Sequence, residues 1–442
     1  MKPLEILSLF FIVGFAIVYA DNTPICWDHP NPLKPSERKR APCYSATNTN
    51  SNDLSLTKRD DSDMFNVTFT CLANNQTLCN KVKNAFDTAG QIITAAIAFK
   101  IPVTVNATFT DFCSTLSQCS LSSGTLTLGG AAPARTIQIT DDDGVQRLFP
   151  QSLVKQRNFT GGNHTYSAFD IFAIFNSQAD YWFEGDGRMK DTQSDFLFVI
   201  LHELIHGLGF TSGYDDFFNV PPKALTPQVS FVEGTGGFTF NGFVEMIFDK
   251  CMVILPSGQR VSNITNQLNT FKGTFTSIQD FVTTFNASSQ HQLALNMMVY
   301  ATTPNSLGLL PPKSTDISNA TILETTLNPY RSGSSVSHFD YKTYTRTSDF
   351  LMRYLQERGL TLRQSIYLGG NYPNGPIGPK LRSFLQSMGY TIQYKPGPFD
   401  PIPGSHPFDD TDSAGKPNAE ICLSFISYIS SFLLIGLVIT LW

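Results

Sequence analysis

Apolar and polar residues alternate in two distinct periods along the first half of the chain. Over positions 68–100 apolar residues recur every three or four positions, which predicts an amphipathic helix. Positions 101–110 alternate with the period of a strand, and shorter helices are predicted over 348–359 and 378–388. The mixture predicts an α+β fold. The predicted core positions of the first helix are Val82, Phe86, Ala89, Ile92, Ile93 and Ile97.

The segment 196–201 consists only of apolar residues, which predicts a buried helix. Ser194 or Asp195 can cap its first turn, because their side-chain oxygens accept hydrogen bonds from free backbone N–H groups. Gly207 and Gly209 are residue types suited to end such a helix. The helix therefore has recognisable start and stop signals on either side of its apolar run.

His202 and His206 lie one turn apart at the end of this predicted helix, so their imidazoles point to the same spot. Two imidazoles at this spacing can bind one Zn²⁺, and Glu203 can take a proton from an attacking water. Polar side chains on a buried helix need a compensating interaction, and metal binding supplies one. The pattern predicts a catalytic zinc centre with Glu203 as general base.

A catalytic zinc ion usually has three protein ligands, and the spacing within the helix identifies only two of them. Among the other histidines, His338 is favoured because it precedes an apolar cluster at 350–352. Three are expected to be solvent-exposed: His29, His164 and His406. The acidic alternatives for the third ligand are Glu245 with Asp249, and Asp215 or Asp216.

At these positions the chain resembles secreted zinc metallopeptidases with a His-Glu-x-x-His-Gly-Leu-Gly-Phe core, and distantly the leishmanolysin-like enzymes, whose third histidine is remote. The resemblance covers roughly positions 66–390. It implies a metzincin-like zincin domain, with a long insertion at about 214–333 between the second and third ligands. The matching stretches are 101–105, 170–177, 182–187, 202–210, 335–340 and 375–389.

The resemblance also implies roles for single residues. It makes His202, His206 and His338 the zinc ligands, and it places Met352 in a methionine turn beneath the metal. Tyr354 occupies the position that some metzincins use to stabilise the transition state, although a structural tyrosine is the favoured interpretation.

Both ends of the chain carry apolar segments typical of targeting signals. Residues 1–20 combine an early lysine with an apolar run and predict a secretory signal peptide. Residues 421–442 contain no charged residue and no basic residues follow them, so a cleaved lipid-attachment signal over 414–442 is favoured over a retained transmembrane helix. We expect attachment of a glycolipid (GPI) anchor at Ser413, and a Pro/Asp-rich stalk over 395–413.

Sequons and charge agree with an extracellular protein. The formal net charge of -5 over 442 residues gives no electrostatic support for nucleic-acid binding. Glycosylation in surface loops is predicted at eight Asn-x-Ser/Thr sites: Asn66, Asn75, Asn106, Asn158, Asn163, Asn263, Asn286 and Asn319.

Segment 21–59 is rich in proline, serine, asparagine and charge, and predicts a disordered leader or propeptide that ends at the dibasic pair Lys58-Arg59. Cys26 or Cys43 could cap an active-site zinc as a thiolate, but a disulfide between the two is favoured. In the rest of the chain, close spacing suggests two more disulfides and one free thiol: Cys71 with Cys79, Cys113 with Cys119, and Cys251 alone.

The sequence thus predicts a secreted zinc endopeptidase, with its catalytic domain at 60–394, that is anchored to a membrane by lipid and cleaves extracellular proteins or peptides. The alternative is a surface adhesin or wall-associated structural protein that keeps zinc only for folding. A fourth protein ligand would distinguish the two, because structural zinc sites are closed whereas catalytic sites keep one open position.

Overall fold

The computed structural model describes residues 25–34, 37–43, 64–117, 126–157, 166–234, 236–402, 407–408 and 420–422. They form a mixed α and β structure, in agreement with the predicted α+β class. The helices are α1 Gln76–Ala96, α2 Phe112–Leu116, α3 Gln151–Gln156, α4 Phe196–Gly207, α5 Val261–Leu268, α6 Ile278–Asn286, α7 Ser289–Ala301, α8 Tyr341–Tyr344, α9 Leu362–Leu368 and α10 Pro379–Met388.

Strands occur throughout the same residues and build several sheets. In chain order they are β1 Cys26–Asp28, β2 Lys39–Ala41, β3 Phe65–Cys71, β4 Val103–Thr110, β5 Gly129–Pro133, β6 Arg135–Thr140, β7 Gln146–Pro150, β8 Ile171–Asn176, β9 Tyr181–Trp182, β10 Ser194–Asp195, β11 Gln228–Gly234, β12 Gly237–Met246, β13 Met252–Ile254, β14 Gln259–Arg260, β15 Thr274–Phe275, β16 Leu307–Leu309, β17 Thr321–Ile322, β18 Leu355–Glu357 and β19 Glu420–Cys422.

A four-stranded sheet in the order β3-β4-β8-β5 supports the helix α4. Its first three strands run parallel, and β5 pairs antiparallel with β8 at the edge. Phe196, at the start of α4, packs edge-on against Phe109 and Phe175 of this sheet, with ring centroids 5.7 and 5.6 Å apart. Helix α1 adds Phe86 to the same cluster, 6.4 Å from Phe196. Aromatic packing therefore fixes the first turn of α4 on the sheet.

The predicted helix over 68–100 is shorter at its start than expected. Residues 65–71 form β3, which pairs in parallel with β4, and α1 begins after Asn75, whose side chain accepts a hydrogen bond from the N–H of Leu78. The Cys71–Cys79 disulfide ties the strand to the first turn of the helix. The predicted core positions of α1 are buried, and the strand predicted at 101–110 is confirmed as β4.

The helix predicted over 348–359 is wrong, whereas that over 378–388 is confirmed as α10. Residues 350–352 make a single 3-10 turn, and the chain continues as β18. The carbonyl of Leu351 bonds to the ring of His202, and that of Met352 accepts a bond from the N–H of Phe339. With these carbonyls engaged by distant residues, the turn cannot continue as an α-helix.

Residues 25–34 and 37–43 are folded, so the predicted disorder of the leader is wrong for this part of it. β1 pairs antiparallel with β6, and Cys26, which is fully buried, forms a disulfide with Cys43. Beyond β1, Leu33 packs against Gly130, where a Cβ would lie 2.4 Å from Leu33 Cδ2. The disulfide engages both leader thiols, which removes them as candidate zinc ligands in this structure.

His29 also belongs to the folded leader and is buried, contrary to the expectation that it is exposed. Its Nε2 lies 3.0 Å from the hydroxyl oxygen of Thr136 in β6. Next to it, Asp28 receives two hydrogen bonds from the guanidinium of Arg135, at 2.6 and 3.0 Å. Side-chain pairing therefore reinforces the backbone ladder between β1 and β6.

A seven-stranded sheet contains strands of the predicted leader and of the predicted insertion, in the order β11-β12-β7-β6-β1-β2 with β15 beside β12. The sheet is curled: Arg38, next to β2, donates hydrogen bonds to the side chain of Gln228 and the carbonyl of Val229 in β11. Because β12 pairs in parallel with β7, the insertion at 214–333 extends the main sheet. The remainder of the insertion holds α5, α6, α7 and the small sheet β14-β13-β16-β17.

The predicted stalk starts as part of the folded domain. The N–H of Lys395 donates to the carbonyl of Ala95, and Phe399 is buried beneath the guanidinium of Arg363, 4.1 Å from its ring centroid. In the described part of the chain, no helix has the length and apolar character needed to cross a bilayer. The predicted signal peptide and Ser413 lie outside the described residues.

Candidate metal centre

The helix α4 forms as the sequence predicts. Asp195 is its cap, and one carboxylate oxygen accepts hydrogen bonds from the N–H groups of Leu197 and Phe198 at 2.9 and 3.2 Å. The helix ends at Gly207, and Gly209 adopts a φ of 103°, a left-handed conformation that favours glycine. Every residue of α4 is buried, so its polar side chains lie inside the protein.

Three imidazoles meet at the end of this helix. The Nε2 atoms of His202, His206 and His338 lie 3.1 Å apart in each of the three pairs. All three side chains are fully buried or nearly so. The structure therefore brings His338, which is 132 residues from His206, to the pair that the helical spacing identified.

The second nitrogen of each ring faces a backbone carbonyl, which fixes both the ring orientation and the tautomer. A proton on Nδ1 makes these hydrogen bonds and leaves the lone pair of Nε2 directed into the cluster. The acceptors are the carbonyls of Leu351 for His202 at 2.8 Å, Phe210 for His206 at 2.6 Å and Ser334 for His338 at 2.9 Å.

The spacing of the cluster is compatible with a zinc ion, and two of its imidazoles are neutral at neutral pH. Two nitrogens bound tetrahedrally at about 2.0–2.1 Å from one Zn²⁺ lie about 3.3–3.4 Å apart, close to the distances found here. Burial lowers the pKa of His202 to about 4, and it lowers the pKa of His206 well below its ordinary value, helped by the neighbouring imidazoles. At neutral pH these rings are therefore neutral, as metal ligands must be.

Glu203 follows His202 in α4 and is also buried. Its Oε2 accepts a hydrogen bond of 3.1 Å from the N–H of Ala131 in β5. Burial raises the pKa of the Glu203 carboxyl to about 8, against the opposing effect of this hydrogen bond. Sequence reasoning did not find Ala131; the small residues of β5, Gly-Gly-Ala-Ala, are the signal that this strand and α4 approach closely.

The acidic alternatives for the third ligand are wrong, because each carboxylate is engaged elsewhere. Glu245 bonds to Arg147, Ser262 and Thr265, and Asp249 accepts hydrogen bonds from the Ser212 hydroxyl and two backbone N–H groups. Asp215 pairs with the Ser332 hydroxyl, and Asp216 accepts bonds from loop N–H groups that include those of Phe218 and Asn219.

Met352 and Tyr354 follow Leu351, whose carbonyl bonds to the ring of His202. Met352 is fully buried, and its carbonyl accepts a 2.8 Å bond from Phe339, the residue after His338. The half-buried ring of Tyr354 packs edge-on against Tyr341, with ring centroids 5.7 Å apart. Among the described residues, the His, Cys, Asp and Glu side chains that form this cluster are the three histidines alone.

The predicted sequons lie mostly at the surface, but the expectation that they lie in loops is wrong for several of them. Asn66 lies in β3, Asn263 in α5 and Asn286 at the end of α6. Asn106 is half-buried in β4, whereas Asn158 and Asn163 lie outside the described residues, as do His164 and His406. The exposed asparagines are Asn66, Asn75, Asn263, Asn286 and Asn319.

The cysteines follow the predicted pattern where they are described. The Cys71–Cys79 disulfide is confirmed, and Cys113 is also disulfide-bonded, whereas its predicted partner Cys119 lies outside the described residues. Cys251 is a free thiol, as predicted. It is buried, which raises its pKa to about 12, so it is unreactive at neutral pH.

Comparison with known proteins gives a family for this chain. The chain is 29% identical over 368 residues to a Schizosaccharomyces pombe (strain 972 / ATCC 24843) protein named Uncharacterized protein PB7E8.01. That alignment covers 76% of this chain and 64% of the relative, so the chain spans less than two thirds of the relative's length. No solved structure matches the chain. Residues 26–402 match the profile of one family, from the first strand of the folded leader onward, and the chain therefore belongs to the SPBPB7E8-like family.

Proposed function

We propose that this protein is a zinc-dependent endopeptidase with a metzincin-like catalytic domain. The observation that carries the proposal is the cluster of three Nε2 atoms at 3.1 Å, together with the buried Glu203, which follows His202 in the sequence. His202, His206 and His338 would hold the ion. Bound there, Zn²⁺ would polarise the scissile carbonyl and lower the pKa of an attacking water.

The protein's own groups then divide the remaining work. A cation held by the histidines would favour the ionised form of Glu203 over the protonated form of the metal-free protein. The carboxylate could then accept a proton and later return it to the leaving amine, which is general acid–base chemistry. The N–H of Ala131 holds this carboxylate at the edge strand β5. The three carbonyls that bind the Nδ1 atoms keep the imidazoles in place while charge shifts at the metal.

The alternative of a structural zinc in an adhesin requires a fourth protein ligand. The described residues offer three, which favours a site with an open position. Surface sequons and disulfides support our proposal that substrates are extracellular proteins or peptides and that the protein is secreted and held by a lipid anchor.

The test is hydrolysis of casein and of a peptide library by the purified soluble protein with and without Glu203→Gln. Glutamine keeps the shape and an oxygen for the Ala131 N–H but cannot take up the proton. We expect a 10²- to 10⁴-fold loss of kcat with bound zinc unchanged at one per chain. Equal inactivity of both proteins at full zinc occupancy would rule out proteolysis, and a fourth protein ligand in a zinc-bound structure would favour the adhesin.

A further inference from the structure

The segment that carries His338 is held by one residue of the insertion, Glu324. The N–H of Glu324 donates a 2.8 Å hydrogen bond to the carbonyl of His338, and its own carbonyl accepts a 2.8 Å bond from the N–H of Val336. The short antiparallel pairing continues two residues further along each segment, where the N–H of Asp340 donates a hydrogen bond to the carbonyl of Ile322. The backbone of Glu324 thus holds the histidine on both sides.

The side chain of Glu324 is fully buried and reaches the residues on the far side of His338. Its Oε2 accepts a 3.0 Å hydrogen bond from the N–H of Tyr341, the first residue of α8. Its Oε1 accepts bonds from both the N–H and the hydroxyl of Thr326. Burying a carboxylate is costly, and these donors compensate for the cost only while the segment 336–341 keeps its present path.

The backbone conformation of this segment is unfavourable at one of its residues. Val336, two positions before His338, has a φ of 68°, a left-handed conformation that β-branched residues rarely adopt. Its side chain is buried, and its N–H is the group that bonds to Glu324. A strained conformation persists only where surrounding contacts impose it, and Glu324 supplies such contacts at both ends of the segment.

We propose that Glu324 is a positioning residue for the metal centre, acting through His338 and Tyr341. This inference rests on the proposed zinc site, and it assigns part of the insertion a role in building that site. The ring of Tyr341 packs against Tyr354, so the same carboxylate also fixes the residue that supports Tyr354. Glu324 is not among the side chains that form the three-histidine cluster.

The test is the metal affinity of the folded full-length protein, measured by competition with a chelator, for the wild type and Glu324→Gln. In this variant the amide NH2 of glutamine faces one of the backbone N–H groups that donate to the carboxylate in the wild type. Two donors cannot bond to each other, so the segment must shift. We expect a 10- to 100-fold weaker affinity for Zn²⁺ and a changed d–d spectrum of the Co²⁺-substituted protein. Glu245→Gln is the matched control: it alters an equally buried glutamate that bonds to Arg147, and it should leave both readouts unchanged in the folded protein.

Thr326→Val is a milder second variant, because Thr326 is exposed and the substitution removes only one of the donors to Glu324. It keeps the inference testable if Glu324→Gln does not fold, and we expect it to weaken affinity several-fold without changing the fold. Wild-type affinity and an unchanged Co²⁺ spectrum in either folded variant would overturn the positioning role. Because both readouts measure metal binding, they remain informative even if the protein proves not to be a peptidase.

Discussion

The N–H of Ala131 donates a 3.1 Å hydrogen bond to Oε2 of Glu203, across 72 residues of sequence. Through this bond the edge strand β5 contacts the proposed general base, at the strand edge that β8 leaves free. The Glu203 carboxyl is buried at this position, and burial raises its pKa from an ordinary value of 4.5 to about 8. Stability of the metal-free protein should therefore depend on the protonation of Glu203.

The metal-free Glu203→Gln variant should be more stable than the metal-free wild type at pH 8 and above. The protonated carboxyl is favoured in the fold, so its contribution is fully present below about pH 4.5 and is lost as the pH rises through 8. The difference in unfolding free energy should widen across this window to a few kcal/mol. Urea unfolding of both chelated proteins at several pH values measures it, and a difference independent of pH would contradict it.

Replacing His338 by alanine should remove most of the metal affinity, because two imidazoles remain where three now converge. His291→Ala is the matched control, since His291 lies in α7 and packs edge-on against Phe285. Isothermal titration of the chelated proteins with Zn²⁺ measures the affinity. We expect the control to bind like the wild type and to gain the same increase in Tm on zinc addition, whereas the His338 variant should gain little. Equal binding by both variants would mean that His338 is not a ligand.

Cleavage at the predicted dibasic site Lys58-Arg59 should leave the leader segment 25–43 attached without a covalent link. Its disulfide closes within the segment, and its retention depends on β1 pairing with β6 and on the two hydrogen bonds from Arg135 to Asp28. Gel filtration of the cleaved protein followed by mass spectrometry in denaturant should find both pieces together. Asp28→Ala should weaken retention, and loss of the segment from the wild type in native buffer would contradict the prediction.

Replacing Tyr354 by phenylalanine should leave kcat and KM unchanged if this tyrosine is structural. Phenylalanine keeps the ring that packs on Tyr341, so this aromatic contact is retained. Steady-state kinetics on one peptide substrate decides the question. A fall in kcat of tenfold or more with constant KM would show that the hydroxyl stabilises the transition state.

The sequence by itself determined the local features of the centre. A capped apolar helix with His202 and His206 one turn apart follows from helical periodicity, and so do the core positions of α1 and the strand β4. The close-spaced Cys71–Cys79 disulfide was predictable because nearby cysteines close short loops. Each of these features depends on residues less than about two helical turns apart.

Only the tertiary structure decided which distant groups meet at the helix. The contacts of Ala131 and Glu324 with the site are made through backbone groups, which leave no periodic pattern in the sequence. The leader has the composition of a disordered segment, but its strand β1 is stabilised by pairing with β6, more than a hundred residues away. The helix predicted over 348–359 failed for the same reason, because its carbonyls bond to His202 and Phe339. The secondary-structure propensity of a short segment cannot predict hydrogen bonds to residues that only folding brings near it.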